Sequence, residues 1–164
     1  RLNFAGKNTG SFVENFNRRQ FTVAPVISWQ IGDRTNLKLS TEYINIEGSY
    51  GQMGLPARGT ILPNPNGKIP LSRNLSESFD KDDVESFRIG YDLEHKLSGD
   101  WQLRSTFEVN WLEQDRVIVF PRTLRADNRT LERGLTVSPI TSRNITVDNY
   151  VVGKFTTGSI QHQL

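Results

Sequence analysis

From Phe87 to Trp111 the side chains alternate. Phe87, Ile89, Tyr91, Leu93 and Leu97 are separated by Arg88, Gly90, Asp92, Glu94 and Lys96. After Ser98-Gly99-Asp100 the chain resumes with Trp101, Leu103, Phe107, Val109 and Trp111 set against Gln102, Arg104, Thr106, Glu108 and Asn110. A period of two puts successive side chains on opposite faces of a strand, so this stretch reads as a hairpin with one apolar and one polar face. A second hairpin shows the same alternation. Phe21, Val23, Pro25, Ile27, Trp29 and Ile31 lead through Gly32-Asp33-Arg34 to Leu37, Leu39, Thr41 and Tyr43, with Lys38, Ser40 and Glu42 on the other parity. A third is read from Val151, Gly153 and Phe155, then Thr157-Gly158-Ser159, then Ile160, His162 and Leu164.

Seven strands are expected: about Leu2 to Lys7, Phe21 to Ile31, Leu37 to Ile46, Phe87 to Leu97, Trp101 to Leu112, Ile145 to Phe155 and Ile160 to Leu164. The joints between them alternate between short turns and long connections, about Asn8 to Gln20, Gly48 to Asp83 and Asp115 to Asp148. Structureless loops beyond roughly 12–15 residues are uncommon in compact domains. Outer-membrane barrels, with short periplasmic turns and long extracellular loops, have this rhythm. The spacing of Trp101 and Trp111 gives a length check. Ten residues at about 3.3 Å each, tilted by about 40–45°, project to about 24 Å, close to the roughly 25 Å apolar band that aromatic girdles edge. A half-buried soluble strand with Trp as core filler remains the alternative for this pair.

The mean hydropathy is −0.50, and no apolar run approaches the roughly 18 residues of a helical span. Strands escape that exclusion, because lipid-facing and polar residues average out along them. Twenty basic and 18 acidic residues give a net charge of +2 without a Lys/Arg block, so no nucleic-acid partner is expected. The absence of cysteine removes disulfides and thiolate chemistry. His95 and His162 lie on the apolar parity near short turns and lack ligand spacing, so no protein-bound metal is expected. Asp80-Lys81-Asp82-Asp83 clusters carboxylates but lacks the glycine and closing glutamate of an EF-hand. Asn74-Leu75-Ser76, Asn128-Arg129-Thr130 and Asn144-Ile145-Thr146 match the glycosylation pattern only by composition in a bacterial setting. Acyl-transfer and phosphate-loop patterns are missing, and no catalytic residue or enzyme activity is expected.

At the long loop the residues become specific. Gly54-Leu55-Pro56-Ala57-Arg58-Gly59-Thr60-Ile61-Leu62-Pro63-Asn64-Pro65-Asn66-Gly67-Lys68-Ile69-Pro70 resembles TonB-dependent siderophore receptors of the ferrichrome-receptor type. Asn8 to Phe12, Ala24 to Thr35, Arg88 to His95 and Thr157 to His162 resemble barrel segments of the same family. The resemblance covers nearly the whole chain and rests on the order of these stretches, with matching turn and loop positions.

It implies an all-β fold, a segment of an antiparallel up-and-down transmembrane β-barrel of roughly 22 strands. Residues 1–164 would be part of the barrel domain of a longer protein, without its plug, its TonB box or its closing strand. An odd number of strands with open edges does not close by itself, since unpaired backbone groups are costly in lipid. The partners implied are a ferric siderophore, outer-membrane lipid, and the TonB complex acting through the plug. Iron would enter only as the siderophore chelate, with no cofactor of the protein's own. Trp29, Trp101 and Trp111 are expected in the membrane girdles, and Lys38, Glu42, Arg88, Asp92, Arg104 and Glu108 along the lumen. Ligand contact is sought in the loops, at Phe12, Phe16, Tyr50, Arg58, Phe120, Arg122 and Arg125, since aromatics pack on a chelate's body and arginine pairs with anionic oxygens. For any one of these, packing within the loop is the competing role.

Two other readings share the alternation. A passive porin-type channel or an outer-membrane enzyme would use the same wall. A soluble β-sandwich or lipocalin-like binding module would turn Leu93, Tyr91, Phe107 and Val109 into a closed interior.

Overall fold

The computed structural model describes residues 1–51 and 54–164. Seven strands form a single sheet in chain order: β1 (Leu2–Gly10), β2 (Asn17–Ile31), β3 (Thr35–Gly48), β4 (Lys81–Lys96), β5 (Trp101–Leu124), β6 (Leu131–Thr157) and β7 (Ile160–Gln163). Every neighbouring pair is antiparallel. Each strand expected from the alternation is present, in an up-and-down order with no crossover.

Register turns the alternation into rows across the sheet. Trp29 stands opposite Leu37, and Leu37 opposite Leu93. Leu39, Tyr91, Phe107 and Val147 form the next row, and Thr41, Ile89, Val109 and Ile145 the one after it. Tyr43, Phe87 and Trp111 close the series. Slipping any strand by one residue would send its apolar set to the opposite face, so this register is the one the sequence specifies. The rows are also packed: Tyr91 stacks on Phe107 with ring centroids 5.9 Å apart, and Phe87 stacks on Trp111 at 5.7 Å. Near the short turns, Trp101 stacks on Phe155, and Phe155 on His162. The Trp101 ring lies against the bare backbone of Gly153, where a Cβ would come within 2.2 Å of it. Any larger residue there would unseat the tryptophan.

The apolar face has nothing over it. Ile27 is 64% exposed, Trp29 62%, Ile145 56% and Val147 59%, and among the described residues no large side chain is less than 2% exposed. A soluble sandwich buries this face under a second sheet at about 10 Å. Here the described residues form one layer, which removes the sandwich reading and leaves the apolar face as a surface for hydrocarbon.

The strands run further than expected at the end away from the short turns. The connection expected at about Asp115 to Asp148 is mostly strand: β5 continues to Leu124, β6 starts at Leu131, and only a tight turn separates them. Phe120 and Arg122, expected in a loop, therefore lie on β5. The connection at about Asn8 to Gln20 shrinks likewise to residues 11–16. At the base of the β5 extension, charge pairs with β4 contribute. Beyond Trp111 the period-two signal fades into Glu113-Gln114-Asp115-Arg116, which reads as a solvated loop. Arg116 meets Asp82 directly across the β4–β5 ladder, and Lys81, opposite Val117, reaches diagonally to Asp115 and so offsets the facing pair Asp83 and Asp115. Opposite charges in register stabilise a sheet face as apolar pairs do, without leaving a hydropathy pattern. The connection from β3 to β4 remains a long loop.

Candidate binding site at the extracellular end

The short turns, at 32–34, 97–100 and 158–159, all lie at one end of the sheet. The tall β5–β6 hairpin, the β1–β2 tip and the long β3–β4 loop gather at the other.

The long loop is held against both hairpins. Glu14 donates its amide to the Ser72 carbonyl, and the Asn74 amide donates back to the Glu14 carbonyl at 2.8 Å. On the other side Asn64 donates to the Asn128 carbonyl at 2.9 Å and Asn66 to that of Asp127 at 3.0 Å. The segment Pro56–Leu62 is a compact turn: the Ala57 carbonyl accepts from the amides of Thr60, Ile61 and Leu62, and the Thr60 hydroxyl donates to the Pro56 carbonyl at 2.7 Å. Satisfied backbone of this kind gives a loop one conformation rather than many.

At the loop's base the acidic run is a fastener rather than a cation site. Asp80 accepts from the Val119 amide at 3.0 Å, and Asp83 from the Gly48 amide at 3.0 Å. Asp82, only 5% exposed, accepts from Arg116 at 2.9 Å and Gln114 at 2.6 Å and lies 3.5 Å from Arg18. Burial by itself raises the Asp82 carboxyl. The hydrogen bonds from Arg116 and Gln114 and the charges of Arg116 and Arg18 more than offset it, leaving the pKa below the ordinary carboxylate value. Tyr50 covers this cluster with its ring 4.9 Å from the Arg116 guanidinium.

Between the turn at Pro56–Leu62 and the β5–β6 hairpin lies an open pocket of roughly 660 Å³. Arg58, Arg122 and Arg125 line it together with Leu55, Pro121 and Leu131. Three of the ligand candidates, far apart in sequence, therefore share one concavity. Arg122 is propped in place, with its guanidinium 5.4 Å from the Phe120 ring and its Nε over Gly134, where a Cβ would come within 2.6 Å. Phe120 thus acts as a support beneath Arg122. Arg125 donates to Glu132 at 2.9 Å, whereas Arg58 and Arg122 have no carboxylate partner among the described residues. Phe12, 75% exposed at the β1–β2 tip, lines none of this, and Phe16 packs near Gly51. Leu55, Pro121 and Leu131 carried no signal of their own in the sequence; the pocket they complete exists only once the loop docks on the hairpin.

The polar face below carries a ladder of charge pairs. Lys38 lies 2.7 Å from Asp92, Arg88 lies 3.3 Å from Glu42 and 3.0 Å from Glu108, and Arg104 lies 3.4 Å from Glu94. All six residues expected on the lumen share this face, opposite the apolar rows. Their side chains are 29–53% exposed, so each pair contributes at most about 1 kcal/mol. The wall they make is partly exposed and nearly neutral. No group of three metal-ligating side chains occurs among the described residues.

No family model matches the chain. Among curated proteins it is 30% identical over 148 residues to a ferrioxamine B receptor of Salmonella typhimurium (strain SL1344), covering 88% of this chain and 21% of that protein. It is 28% identical over 166 residues to the metal-pseudopaline receptor CntO of Pseudomonas aeruginosa (strain UCBPP-PA14), covering 100% of this chain and 23% of that one. To the ferrichrome outer membrane transporter/phage receptor of Escherichia coli (strain K12) it is 24% identical over 183 residues, covering 100% of the chain and 24% of that protein. The chain thus spans between a fifth and a quarter of these relatives. Among solved structures it superposes on the closed form of the ferric-catecholate import receptor Fiu from E. coli K12 with a TM-score of 0.85 at 19% identity, over 99% of this chain and 26% of that one. On BauA, the ferric preacinetobactin receptor from Acinetobacter baumannii, the TM-score is 0.80 at 17% identity, over 99% and 24%. One exposed apolar face, a charge-paired polar face and these likenesses in sequence and in fold lead to one conclusion: the chain forms seven adjacent strands of a bacterial outer-membrane barrel wall and is similar, over nearly all its length, to the barrel of TonB-dependent siderophore receptors.

Proposed function

We propose that the protein to which this wall belongs captures a ferric siderophore at the cell surface and passes it into the periplasm, using energy delivered by TonB to a plug inside the barrel. The observation that carries this reading is the placement of a preformed, arginine-lined pocket at the end of the sheet away from the short turns, above a wall with lipid on one side and paired charges on the other. The ferrioxamine B and metal-pseudopaline receptors, whose sequences align with this chain, support it. In this reading Lys38, Glu42, Arg88, Asp92, Arg104 and Glu108 face the lumen, and Trp29, Trp101 and Trp111 sit at the two edges of the hydrocarbon. Iron is cargo, carried inside its chelator, and no residue of the wall needs to ligate it or to perform chemistry. The matched relatives are receptors and transporters rather than enzymes.

The test is uptake of radiolabelled iron chelates by iron-starved cells expressing the full-length receptor, in strains with and without TonB. Accumulation that needs both the receptor and TonB is expected. Accumulation through the receptor that persists without TonB would make the protein a passive channel.

A further inference from the structure

The pocket between the β3–β4 loop and the β5–β6 hairpin has a definite charge, and that charge narrows the cargo. We infer that the receptor takes a ferric chelate that is anionic at neutral pH, with Arg58 and Arg122 gripping its peripheral oxygens and Leu55, Pro121 and Leu131 packing on its body. The inference rests on the receptor reading above and adds to it the charge class of the ligand and the residues that select it.

Three observations carry it. First, two guanidinium groups in one concavity have no carboxylate partner among the described residues, while the charged residues of the wall below are paired across strands. Neighbouring like charges repel, so two unpaired cations lining one concavity, rather than scattered over the surface, favour an anionic occupant. Second, the cations are held before ligand arrives. Arg122 lies against the Phe120 ring, both side chains packed over the bare backbone of Gly134, and the backbone of Arg58 is carried on the turn closed by the Ala57 carbonyl. A planar guanidinium fixed in this way binds carboxylate or catecholate oxygens in pairs and loses little entropy in doing so. Third, the third cation is attenuated: Glu132 holds Arg125 at 2.9 Å. With the Asp127 carboxylate also feeling its charge, Arg125 is the least available of the three, and a gain-of-affinity variant follows at Glu132.

A cationic chelate would meet repulsion here, and a neutral one would offer the guanidinium groups only uncharged oxygens, which hold them less strongly than anionic ones. The selection is therefore by sign of charge first and by shape second.

The experiment measures equilibrium binding of iron-55 chelates to the full-length receptor in outer-membrane vesicles: ferric citrate and a ferric tricatecholate as anionic probes, ferrichrome as a neutral one, ferrioxamine B as a cationic one. An anionic probe is expected to bind most tightly and to weaken as salt is raised on the unaltered receptor. Arg58→Gln with Arg122→Gln should weaken it at least tenfold, Arg58→Lys with Arg122→Lys, which keeps the charge and loses the paired donors, should recover only part of that loss, and Glu132→Gln should tighten it several-fold. The salt series needs no variant and decides the question even where a substitution disturbs assembly. Tightest binding of the neutral or cationic probe would overturn the charge assignment, as would less than a twofold effect of the double glutamine variant. Competition by millimolar inorganic phosphate as strong as by the anionic chelate would also overturn it, reducing the pocket to a general anion site. Failure of every probe to bind would instead sink the receptor reading on which the inference stands, so the two failures are distinguishable.

Discussion

Individual side chains decide how the extracellular end is fastened. Asp82 sits in the fastener with two donors and the Arg18 charge around it, so replacing it by alanine leaves Arg116 and Gln114 without this acceptor and Arg18 without its counter-ion. Each charge-assisted hydrogen bond contributes roughly 1.5–3 kcal/mol. Asp82→Ala is therefore expected to speed amide exchange of residues 114–119 in the full-length receptor by one to two orders of magnitude; unchanged exchange would mean the cluster holds nothing. Its carboxyl has a lowered pKa in the fold, so its contribution is complete above the ordinary carboxylate range and disappears as pH falls through the lowered value. Asp127 caps the β5–β6 turn. The Thr130 hydroxyl at 2.6 Å and the amides of Arg129 and Thr130 at 3.0 Å lower its carboxyl from 3.8 to about 2. By the same sign, its hold on the turn is full above about pH 4 and fades as pH approaches 2. Exchange of the Arg129 and Thr130 amides, corrected for intrinsic rates, should accelerate across that interval in the native receptor and show no such step in Asp127→Asn.

At the level of the strand, the two faces give opposite tolerance to the same substitution. Val147 lies in the row of Phe107, midway between the levels of Trp101 and Trp111, whereas its neighbour Thr146 points to the polar side, opposite Glu108. Arginine at the hydrocarbon midplane of a barrel costs about 2–4 kcal/mol. Val147→Arg is expected to lower the yield of folded full-length receptor in lipid vesicles, read as heat-modifiable electrophoretic mobility, while Thr146→Arg folds as the unaltered protein does. Equal behaviour of the two variants would contradict the assignment of faces. The strand scale is also where the sequence was hardest to read. Phe87 and Trp111 announce their strands because hydrocarbon selects every second residue there. Glu113 to Leu124 and Leu131 to Asn144 lie beyond the level of Trp111, where Ile118 and Val119, on opposite faces, are both buried and strict alternation is lost.

For the molecule as a whole, the decisive property is an apolar surface with no protein layer over it. Leu2, Phe4, Ile27, Trp29, Ile145 and Val147 all lie open to the surroundings. β1 leaves one of its edges unpaired, and β6 leaves its edge from Leu131 to Val152 unpaired within the described residues. Open edges and a contiguous apolar face are both routes to aggregation in water. The 164-residue chain alone, in detergent-free buffer, is expected to run as large aggregates in size exclusion. A sharp monomeric peak would mean that the apolar rows find cover that the sheet does not show.

The alternation of side chains was sufficient for the number of strands, their order, which residues share a face, and the short turns. Each of those follows from one local rule, that a strand between lipid and a wet interior must change polarity at every residue. The pocket was beyond that rule. Arg58, Arg122 and Arg125 were separately legible as cations able to meet an anionic ligand, but their meeting depends on Asn64 and Asn66 reaching carbonyls more than sixty positions away. The support from Phe120 beneath Arg122, the clearance over Gly134 and the partner that silences Arg125 depend on register high on the β5–β6 hairpin. Hydrogen bonds and charge pairs between distant segments leave no periodic trace, so only the folded arrangement could bring those residues into one site.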